Sequence, residues 1–315
     1  MIRLLALDID GTILDSNGQL PEANHRAIER AIGAGVEVVL ATGRRYEFAL
    51  PIIAMLPGPL TLILSNGAIV KSYAGETLMR HLLPRDVARE VLGRVPQHRA
   101  SAAVVFDRPR EGQLVFESID WEHPRHQRFF ASNRPFLSEI APLEDCLTED
   151  PIQVMFTGGC VEMREVFADL RGPELPPSPG RPSARRCAVA LTEYQHRDFS
   201  LVDVIKAGCN KGAALRDWAS RRGIARDGVM AMGDNLNDVE MLEFAGTPVL
   251  MGNALAELKA RGWAVSGTND EAGVARAIET FIFEEGAADA AGADPAGADP
   301  VGADPVGADP VREAS

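Results

Sequence analysis

The start of the chain places two carboxylates at the end of a buried strand. Residues 2–7 form a mainly apolar run, and Asp8 and Asp10 follow it directly. Side chains at positions i and i+2 of a strand lie on one face, so we expect these two carboxylates to lie together. Their burial is costly unless they hold a cation or exchange a proton. The alternative is a plain strand that ends in an Asp-Gly turn.

Two other predicted strands also end at polar groups. The run Val36–Ala41 is followed by Thr42 and Gly43. The run Val229–Met232 is followed, one residue later, by Asp234. In an open parallel sheet, ligands bind outside the carboxyl ends of the strands, so these three strand ends can converge. One such residue often serves only as a helix cap, but three convergent ones indicate a functional site.

The order of the predicted elements indicates an α/β fold with an insertion. Strands and helices alternate over residues 1–82 and 201–283, which predicts one discontinuous core with a parallel sheet covered on both faces. Residues 83–200 follow the order helix, paired strands, helix, paired strands, which is typical of an α+β module with an antiparallel sheet. Residues 284–315 contain a Gly-Ala-Asp-Pro repeat, and its regular prolines predict a disordered tail.

A lysine stands at the start of one predicted helix. Asn210 suits the cap position, and Lys211 follows it in the first turn. A helix N-terminus attracts anions, and a lysine there opposes the helix dipole. A phosphate or carboxylate partner is therefore favoured for Lys211, although the alternative is a lysine in solvent.

Charge and cysteine content exclude several classes of function. The formal net charge of −13 argues against nucleic acid or an anionic membrane as the main partner. No apolar run approaches the ~20 residues that span a bilayer. The four cysteines form no C-x-x-C pair and are expected to be free thiols in a reducing compartment. We therefore predict a cytoplasmic protein that acts on a small molecule, with its oligomeric state left open.

Together these residue types describe a site for phosphoryl transfer. A carboxylate such as Asp8 can attack phosphorus and form an aspartyl phosphate. Oxygen ligands from Asp8 and Asp234 fit Mg²⁺, which holds a carboxylate and a phosphate together despite their repulsion. The hydroxyl of Thr42 and the ammonium of Lys211 can hold the phosphate oxygens. Asp10 can protonate the leaving alcohol and then deprotonate the attacking water.

The same residues resemble the four motifs of the haloacid dehalogenase superfamily of phosphatases. The matching segments are Asp8-Ile9-Asp10-Gly11-Thr12, Thr42-Gly43-Arg44, Lys211 and Gly233-Asp234-Asn235-Leu236-Asn237-Asp238. The segments Ser65-Asn66-Gly67-Ala68 and Met251-Gly252-Asn253-Ala254 are similar to the Cof-type branch. The resemblance implies a Rossmann-like parallel-sheet core, an inserted α+β cap that closes over the substrate, and a phosphoric monoester hydrolase that uses Mg²⁺.

The resemblance also implies a role for each motif residue. Asp8 is the implied nucleophile and a metal ligand. Asp10 is the implied acid/base, with its backbone carbonyl as a second ligand, and Asp234 supplies the third. The residues implied to contact phosphate are Thr42, Gly43, Lys211 and Asn237.

Three further residues, Asp238, Asn66 and Gly67, are expected to support the site without a defined chemical role. The resemblance implies that Asp238 steadies Lys211 or a metal-bound water. Asn66 and Gly67 are expected near the substrate entrance, and the alternative for this Asn-Gly pair is a simple hairpin turn.

Three functions stay open at this point. The leading hypothesis is a Mg²⁺-dependent phosphatase of a small phosphorylated metabolite, such as a sugar phosphate. A phosphomutase on a hexose phosphate would return the phosphoryl group to a sugar instead of water. A catalytically idle binding module is the third, and the intact set of acids together with Lys211 weighs against it.

Overall fold

The structure, a computed structural model, describes residues 1–122, 127–171, 186–194 and 198–284. Its strands are β1 Leu4–Leu7, β2 Glu37–Ala41, β3 Thr61–Leu64, β4 Ile69–Ser72, β5 Thr77–Arg80, β6 Ala102–Val105, β7 Leu114–Phe116, β8 Leu137–Glu139, β9 Gln153–Gly158, β10 Cys187–Tyr194, β11 Phe199–Lys206, β12 Val229–Gly233, β13 Thr247–Leu250 and β14 Ala264–Val265. Its helices are α1 Glu22–Gly33, α2 Tyr46–Ile53, α3 Arg85–Arg94, α4 Gln127–Asn133, α5 Cys160–Arg171, α6 Lys211–Arg221, α7 Val239–Phe244, α8 Ala256–Lys259 and α9 Gly273–Ile278. The predicted tail, residues 284–315, lies outside the described residues apart from Glu284.

β1 lies in the interior of an eight-stranded sheet. The strand order is β14-β13-β12-β1-β2-β3-β4-β5, and all neighbours from β14 to β3 are parallel. β4 and β5 run antiparallel to their neighbours, so the sheet predicted as parallel carries an antiparallel hairpin at one edge. Asn66 and Gly67 lie in the turn between β3 and β4, as the hairpin alternative anticipates.

Both faces of β1 are covered, which explains its continuous apolar sequence. All four of its residues have no exposed surface. Leu5 and Leu7 belong to an apolar cluster with residues of α1 and α9, whereas Leu4 and Ala6 belong to a cluster with residues of α6 and α7. Each buried leucine contributes ~1.5–3 kcal/mol. This packing fixes the carboxyl ends of β1, β2 and β12 at one edge of the sheet.

A second sheet is built from the central part of the chain. Its order is β10-β11-β9-β6-β7-β8, and its neighbours are antiparallel except for the pair β7 and β8. Residues of α3 and α5 cluster with its strands. The predicted fold class, an α/β core with an inserted α+β module, is confirmed for the described residues. The predicted boundary between residues 200 and 201 falls inside β11, so we propose that the inserted module ends after Lys206.

Among the helices of the described ranges, none is long and apolar enough to cross a membrane.

Candidate active site

Strand ends bring acidic groups and one lysine together at one edge of the first sheet. Asp8 follows β1, and its N–H donates to the carbonyl of Met232 in β12 at 3.1 Å. Lys211 reaches the same edge from the first turn of α6. Its Nζ lies 2.6 Å from Asp8 Oδ1 and 2.6 Å from Asp238 Oδ1. The structure therefore joins the predicted first, third and fourth motifs through one ammonium group.

The local sequence around Lys211 explains how a lysine comes to lie there. The side chain of Asn210 caps α6 by accepting from the N–H of Ala213 at 2.6 Å, which sets where the helix begins. A Cβ at Gly212 would lie 2.2 Å from the carbonyl oxygen of Glu240 in α7. Only glycine allows α6 to approach α7 this closely, and that approach brings Lys211 between the two carboxylates.

The site is buried and carries more negative than positive charge. Lys211 is 1% exposed and Asp238 is fully buried. Oxygen atoms of Asp8, Asp234 and Asp238 all lie within 4.8 Å of one another. Three carboxylates against one ammonium leave two negative charges uncompensated when all are ionised. Such a cluster favours binding of a cation or retention of protons.

Burial and like charges change the ionisation of this cluster. Burial, reinforced by Asp238, raises the pKa of Asp8 well above its usual range. Burial and Asp238 likewise raise the pKa of Asp234 to about 7. Burial would lower the pKa of Lys211, but Asp238 and Asp8 outweigh it and raise that pKa. Lys211 is therefore held as a cation, whereas its single charge does not offset burial and the neighbouring carboxylates at Asp8 and Asp234.

Asp238 uses both of its oxygens within the protein. Oδ1 accepts from Lys211, while Oδ2 accepts from the N–H groups of Asp234 at 3.1 Å and Asn235 at 3.0 Å. The carboxylate thus fixes the loop after β12 and orients Lys211. This geometry agrees with the expectation that Asp238 steadies Lys211.

Asp10 is held by an arginine from the second motif. Arg44 Nε donates to Asp10 Oδ2 at 2.7 Å, and Arg44 Nη2 donates to Oδ1 at 2.6 Å. The pair is about one-third exposed. Asp10 therefore lies outside the buried contact between Lys211 and Asp8, and a bidentate guanidinium fixes its orientation.

Thr42 and Gly43 form the loop that follows β2. The N–H of Thr42 donates to the carbonyl of Ile63 at 2.8 Å, and its Oγ1 accepts from the N–H of Arg44 at 3.1 Å. A Cβ at Gly43 would lie 3.1 Å from Asn66 Oδ1. The missing side chain at Gly43 therefore leaves room for the Asn66 amide against this loop.

Asn66 and Gly67, predicted near the substrate entrance, are both buried in this structure. Asn66 is 3% exposed, and its Oδ1 accepts from Asn237 Nδ2 at 3.2 Å. Its N–H donates to the carbonyl of Thr42 at 3.1 Å. A Cβ at Gly67 would lie 2.4 Å from the carbonyl oxygen of Asn210. Because both residues pack against neighbouring loops, we propose that they position those loops instead of lining an entrance.

The haloacid dehalogenase-like hydrolase family matches residues 5–278 of the chain. The chain belongs to this family. HMP-PP phosphatase of Serratia proteamaculans (strain 568) is 31% identical over 259 residues, which cover 82% of this chain and 87% of that protein. Pyridoxal phosphate phosphatase YbhA of Escherichia coli (strain K12) is 28% identical over 286 residues, which cover 88% and 97%. These names agree with the predicted enzyme class, a phosphoric monoester hydrolase, and the predicted superfamily with its Cof-type branch is confirmed.

Solved structures of haloacid dehalogenase-like hydrolases have the same fold. One from B. subtilis superposes with a TM-score of 0.70 at 22% identity, covering 89% of this chain and 100% of that one. One from Bacteroides thetaiotaomicron gives 0.69 at 23% identity, covering 89% and 100%. At these identities the similarity concerns the fold alone.

The donor set of this family member fits a magnesium ion. Mg²⁺ prefers octahedral oxygen ligands and keeps several waters, so it needs only one or two carboxylates from the protein. Asp8 and Asp234 offer carboxylate oxygens in a cluster with uncompensated negative charge. Asp238 lies equally near, but its hydrogen bonds already occupy both oxygens. Asp8 and Asp234 are therefore the better side-chain ligands.

The surroundings of Asp234 are also polar. Thr12 Oγ1 donates to Asp234 Oδ1 at 3.4 Å, and Asn253 Nδ2 lies 3.5 Å from Asp234 Oδ2. Asn253 Nδ2 also donates to the carbonyl of Gly11 at 2.8 Å. Gly11 has φ +83°, and a Cβ there would lie 2.4 Å from Asp234 Oδ2. Glycine is thus required at this turn both for its φ angle and for the close approach of Asp234.

A narrow cleft opens between the two sheets. Arg45, Tyr46 and Ser65 line it from the core side, and Phe106 and Gln113 line it from the inserted module. Two buried atoms there have no hydrogen-bond partner among the described residues, namely Arg45 Nη1 and Gln113 Oε1. A donor and an acceptor left unpaired in this way are satisfied by water or by a polar ligand.

Sequence reasoning missed Asp203 in this family member. Gln153 Nε2 donates to Asp203 Oδ1 at 2.7 Å, and Asn66 Nδ2 donates to Oδ2 at 3.2 Å. Burial raises the pKa of Asp203 to about 7. Asp203 lies within β11 and belongs to no motif, so the sequence carries no signal for it. Asn253 was also given no role, although it follows β13 and the strand-end rule would have found it.

Proposed function

We propose that this chain is a Mg²⁺-dependent phosphatase that hydrolyses a small phosphorylated metabolite through an aspartyl phosphate on Asp8. The observation that carries the proposal is the buried contact of Lys211 with Asp8, beside Asp234. A carboxylate held by an ammonium in a water-poor site is suited to nucleophilic attack, because its orientation is fixed before substrate binds.

In the first step, Asp8 attacks phosphorus and the bond from phosphorus to the ester oxygen breaks. Thr42, Gly43, Lys211 and Asn237 are the proposed contacts to the phosphate oxygens. Lys211 offers one further N–H group besides the two that face Asp8 and Asp238, since an ammonium carries three. In the second step water attacks the aspartyl phosphate, which releases phosphate and restores the carboxylate.

Asp10 is the proposed proton donor to the leaving oxygen and the later acceptor from water. As donor it must carry a proton, and a protonated carboxyl group is a weaker acceptor than a carboxylate. The two hydrogen bonds from Arg44, at 2.7 and 2.6 Å, therefore weaken when Asp10 is protonated during the cycle. The partial exposure of this pair allows this change.

The proposed ligands of Mg²⁺ are the carboxylates of Asp8 and Asp234 and the main-chain carbonyl of Asp10. When bound, the ion offsets the repulsion between the carboxylates and the incoming phosphate. Two contacts orient the side chains without the ion: Asp238 holds Lys211, and Arg44 holds Asp10.

We propose that the inserted module acts as the cap and that the leaving group faces the cleft lined by Arg45 and Gln113. Their unpaired donor and acceptor suit a small polar leaving group. Similar proteins are named for HMP-PP and pyridoxal phosphate, so these compounds belong in the substrate panel beside the sugar phosphates.

The test is a release assay for inorganic phosphate over this panel, with and without Mg²⁺. We expect Asp8→Asn to lower turnover by at least ~10³-fold, because the nucleophile is removed. Substitution of Lys206, an exposed lysine at the end of β11, serves as the control and should leave turnover unchanged.

Product analysis separates the alternatives. Transfer of phosphate to a second hydroxyl of a hexose, without release of free phosphate, would support the phosphomutase. Retained turnover in Asp8→Asn would reject the assigned nucleophile. Absence of turnover over the whole panel would favour the binding module.

A further inference from the structure

We infer that Asp203 is a positioning residue of the phosphate site: from the inserted module it orients the amide of Asn66 and, through Asn66, that of Asn237. The inference rests on the proposed function, in which Asn237 contacts phosphate. Asp203 itself touches neither that site nor the acidic cluster by any described hydrogen bond, so its effect passes through the amide between them.

The connection is a chain of three hydrogen bonds, and all of its groups except the half-buried Asn237 amide are buried. Gln153 Nε2 donates to Asp203 Oδ1 at 2.7 Å, Asn66 Nδ2 donates to Asp203 Oδ2 at 3.2 Å, and Asn237 Nδ2 donates to Asn66 Oδ1 at 3.2 Å. Gln153, Asp203 and Asn66 are 3–4% exposed. Asp203 and Gln153 lie in strands of the second sheet, whereas Asn66 and Asn237 lie in the turns that follow β3 and β12 of the first sheet.

The direction of these bonds fixes which way each amide faces. An ionised carboxylate only accepts hydrogen bonds, so Asp203 requires the Nδ2 side of Asn66 to face it. The Oδ1 side of Asn66 then faces Asn237 and takes one of its two N–H groups. Asn237 is thereby held with its NH₂ group toward the loop of Gly43, and its second N–H is left for phosphate.

Without an acceptor at position 203, the Asn66 amide loses its preferred orientation. A reversed Asn66 would present N–H groups to Asn237, which must then turn its carbonyl oxygen toward Asn66 and present the opposite face to phosphate. Asp203→Leu should therefore weaken phosphate binding, although residue 203 does not touch phosphate.

Asp203→Asn should restore most of the binding. Its carbonyl oxygen can accept from Asn66, while its new NH₂ group can donate to Gln153. Gln153 can accept that bond by rotation of its amide, since its Oε1 has no hydrogen-bond partner among the described residues. The conservative variant thus keeps the acceptor that orients Asn66.

The experiment measures the Kd of inorganic phosphate by calorimetry in the presence of Mg²⁺, together with KM and kcat for a phosphomonoester. We expect Asp203→Leu to raise both the Kd and KM by about 3–10-fold, which is less than the complete loss of one hydrogen bond to a charged group. Because the proposed contact of Asn237 with phosphate is present in both the bound substrate and the transition state, kcat should change less than twofold. Asp203→Asn should recover most of the affinity.

Two further variants separate positioning from general damage. Ser200 lies in β11 like Asp203, and its Oγ donates to the carbonyl of Thr192 at 2.8 Å. Ser200→Ala removes this hydrogen bond without changing any described hydrogen bond of Asn66, so it should leave the phosphate Kd unchanged. In an Asn66→Ala background, Asp203→Leu should have no additional effect. Should Asp203→Leu fail to fold, Asp203→Ala serves the same comparison.

The outcomes distinguish this inference from the proposed function. If Asn237→Ala weakens phosphate binding but Asp203→Leu does not, or if Asp203→Leu lowers kcat with KM unchanged, the inference is overturned. If the unmodified chain binds no phosphate and hydrolyses no phosphomonoester, the proposed function itself fails.

Discussion

Replacement of Lys211 by methionine tests whether the ammonium group holds the acidic cluster together. Methionine keeps much of the unbranched, apolar shape of the lysine stem but carries no charge. In the native chain, Nζ lies 2.6 Å from both Asp8 and Asp238, and the side chain is 1% exposed. The substitution therefore leaves two carboxylates without their shared partner in a buried site.

The expected loss of stability follows from the cost of an unpaired buried charge. Removal of one partner of a buried ion pair costs about 3–5 kcal/mol. Since two carboxylates lose the same cation, we expect Lys211→Met to lie near the upper end, about 5 kcal/mol without Mg²⁺. At ~2–4 °C per kcal/mol for a chain of this size, Tm should fall by ~10–20 °C.

The assay is urea unfolding followed by circular dichroism at pH 7.5 in the presence of a chelator. The double variant Lys211→Met with Asp8→Asn removes one uncompensated charge and should recover about 1–3 kcal/mol of the loss. Lys206→Met, at an exposed lysine that ends β11, is the matched control and should stay within ±0.5 kcal/mol of the native chain. A loss below about 1 kcal/mol for Lys211→Met, or no recovery in the double variant, would refute the electrostatic reasoning.

Three further predictions address single contacts. Because burial raises the pKa of Asp203 from 3.8 to about 7, stability of the native chain should fall as pH rises through that window. In urea unfolding, Asp203→Asn should therefore gain up to ~3 kcal/mol relative to the native chain between pH 4.5 and pH 8. Arg44→Met frees Asp10 and should lower kcat by no more than the ~10²–10⁴-fold of general acid–base catalysis, with KM little changed in steady-state assays. Mg²⁺ at 100 times its Kd should stabilise the native chain by ~2.7 kcal/mol in thermal unfolding, and Gly11→Ala should abolish this gain because its Cβ would lie 2.4 Å from Asp234.

The core of the fold was predictable because its signals are local. A strand buried on both faces must be apolar throughout, and residues 4–7 show this directly. The helix predicted to begin after Asn210 starts at Lys211 in the structure, since the Asn210 side chain caps α6. Polar groups at strand ends then locate the site, because the chain leaves every parallel strand at the same edge.

The edge hairpin was not predictable in the same way. β4 and β5 have four residues each, and parts of both are partly exposed, so their apolar pattern is too short to separate from a loop. The pairing of Asp10 with Arg44 was missed for a different reason. Both residues belong to recognised motifs, but the contact depends on how two loops fold toward each other, 34 positions apart in sequence.

Asp203 could not be predicted from the rule that ligand sites lie at strand ends. It lies within β11 instead of at its end, and its partner Asn66 is 137 positions away in the turn between β3 and β4 of the other sheet. A buried carboxylate with a pKa raised to about 7 destabilises the chain at neutral pH, so its hydrogen bonds must offset that cost. Those bonds come from Gln153 in the same sheet and from Asn66 in the turn after β3 of the core sheet. Contact between the inserted module and the core, and the orientation of the amide that faces Asn237, therefore depend on the same carboxylate.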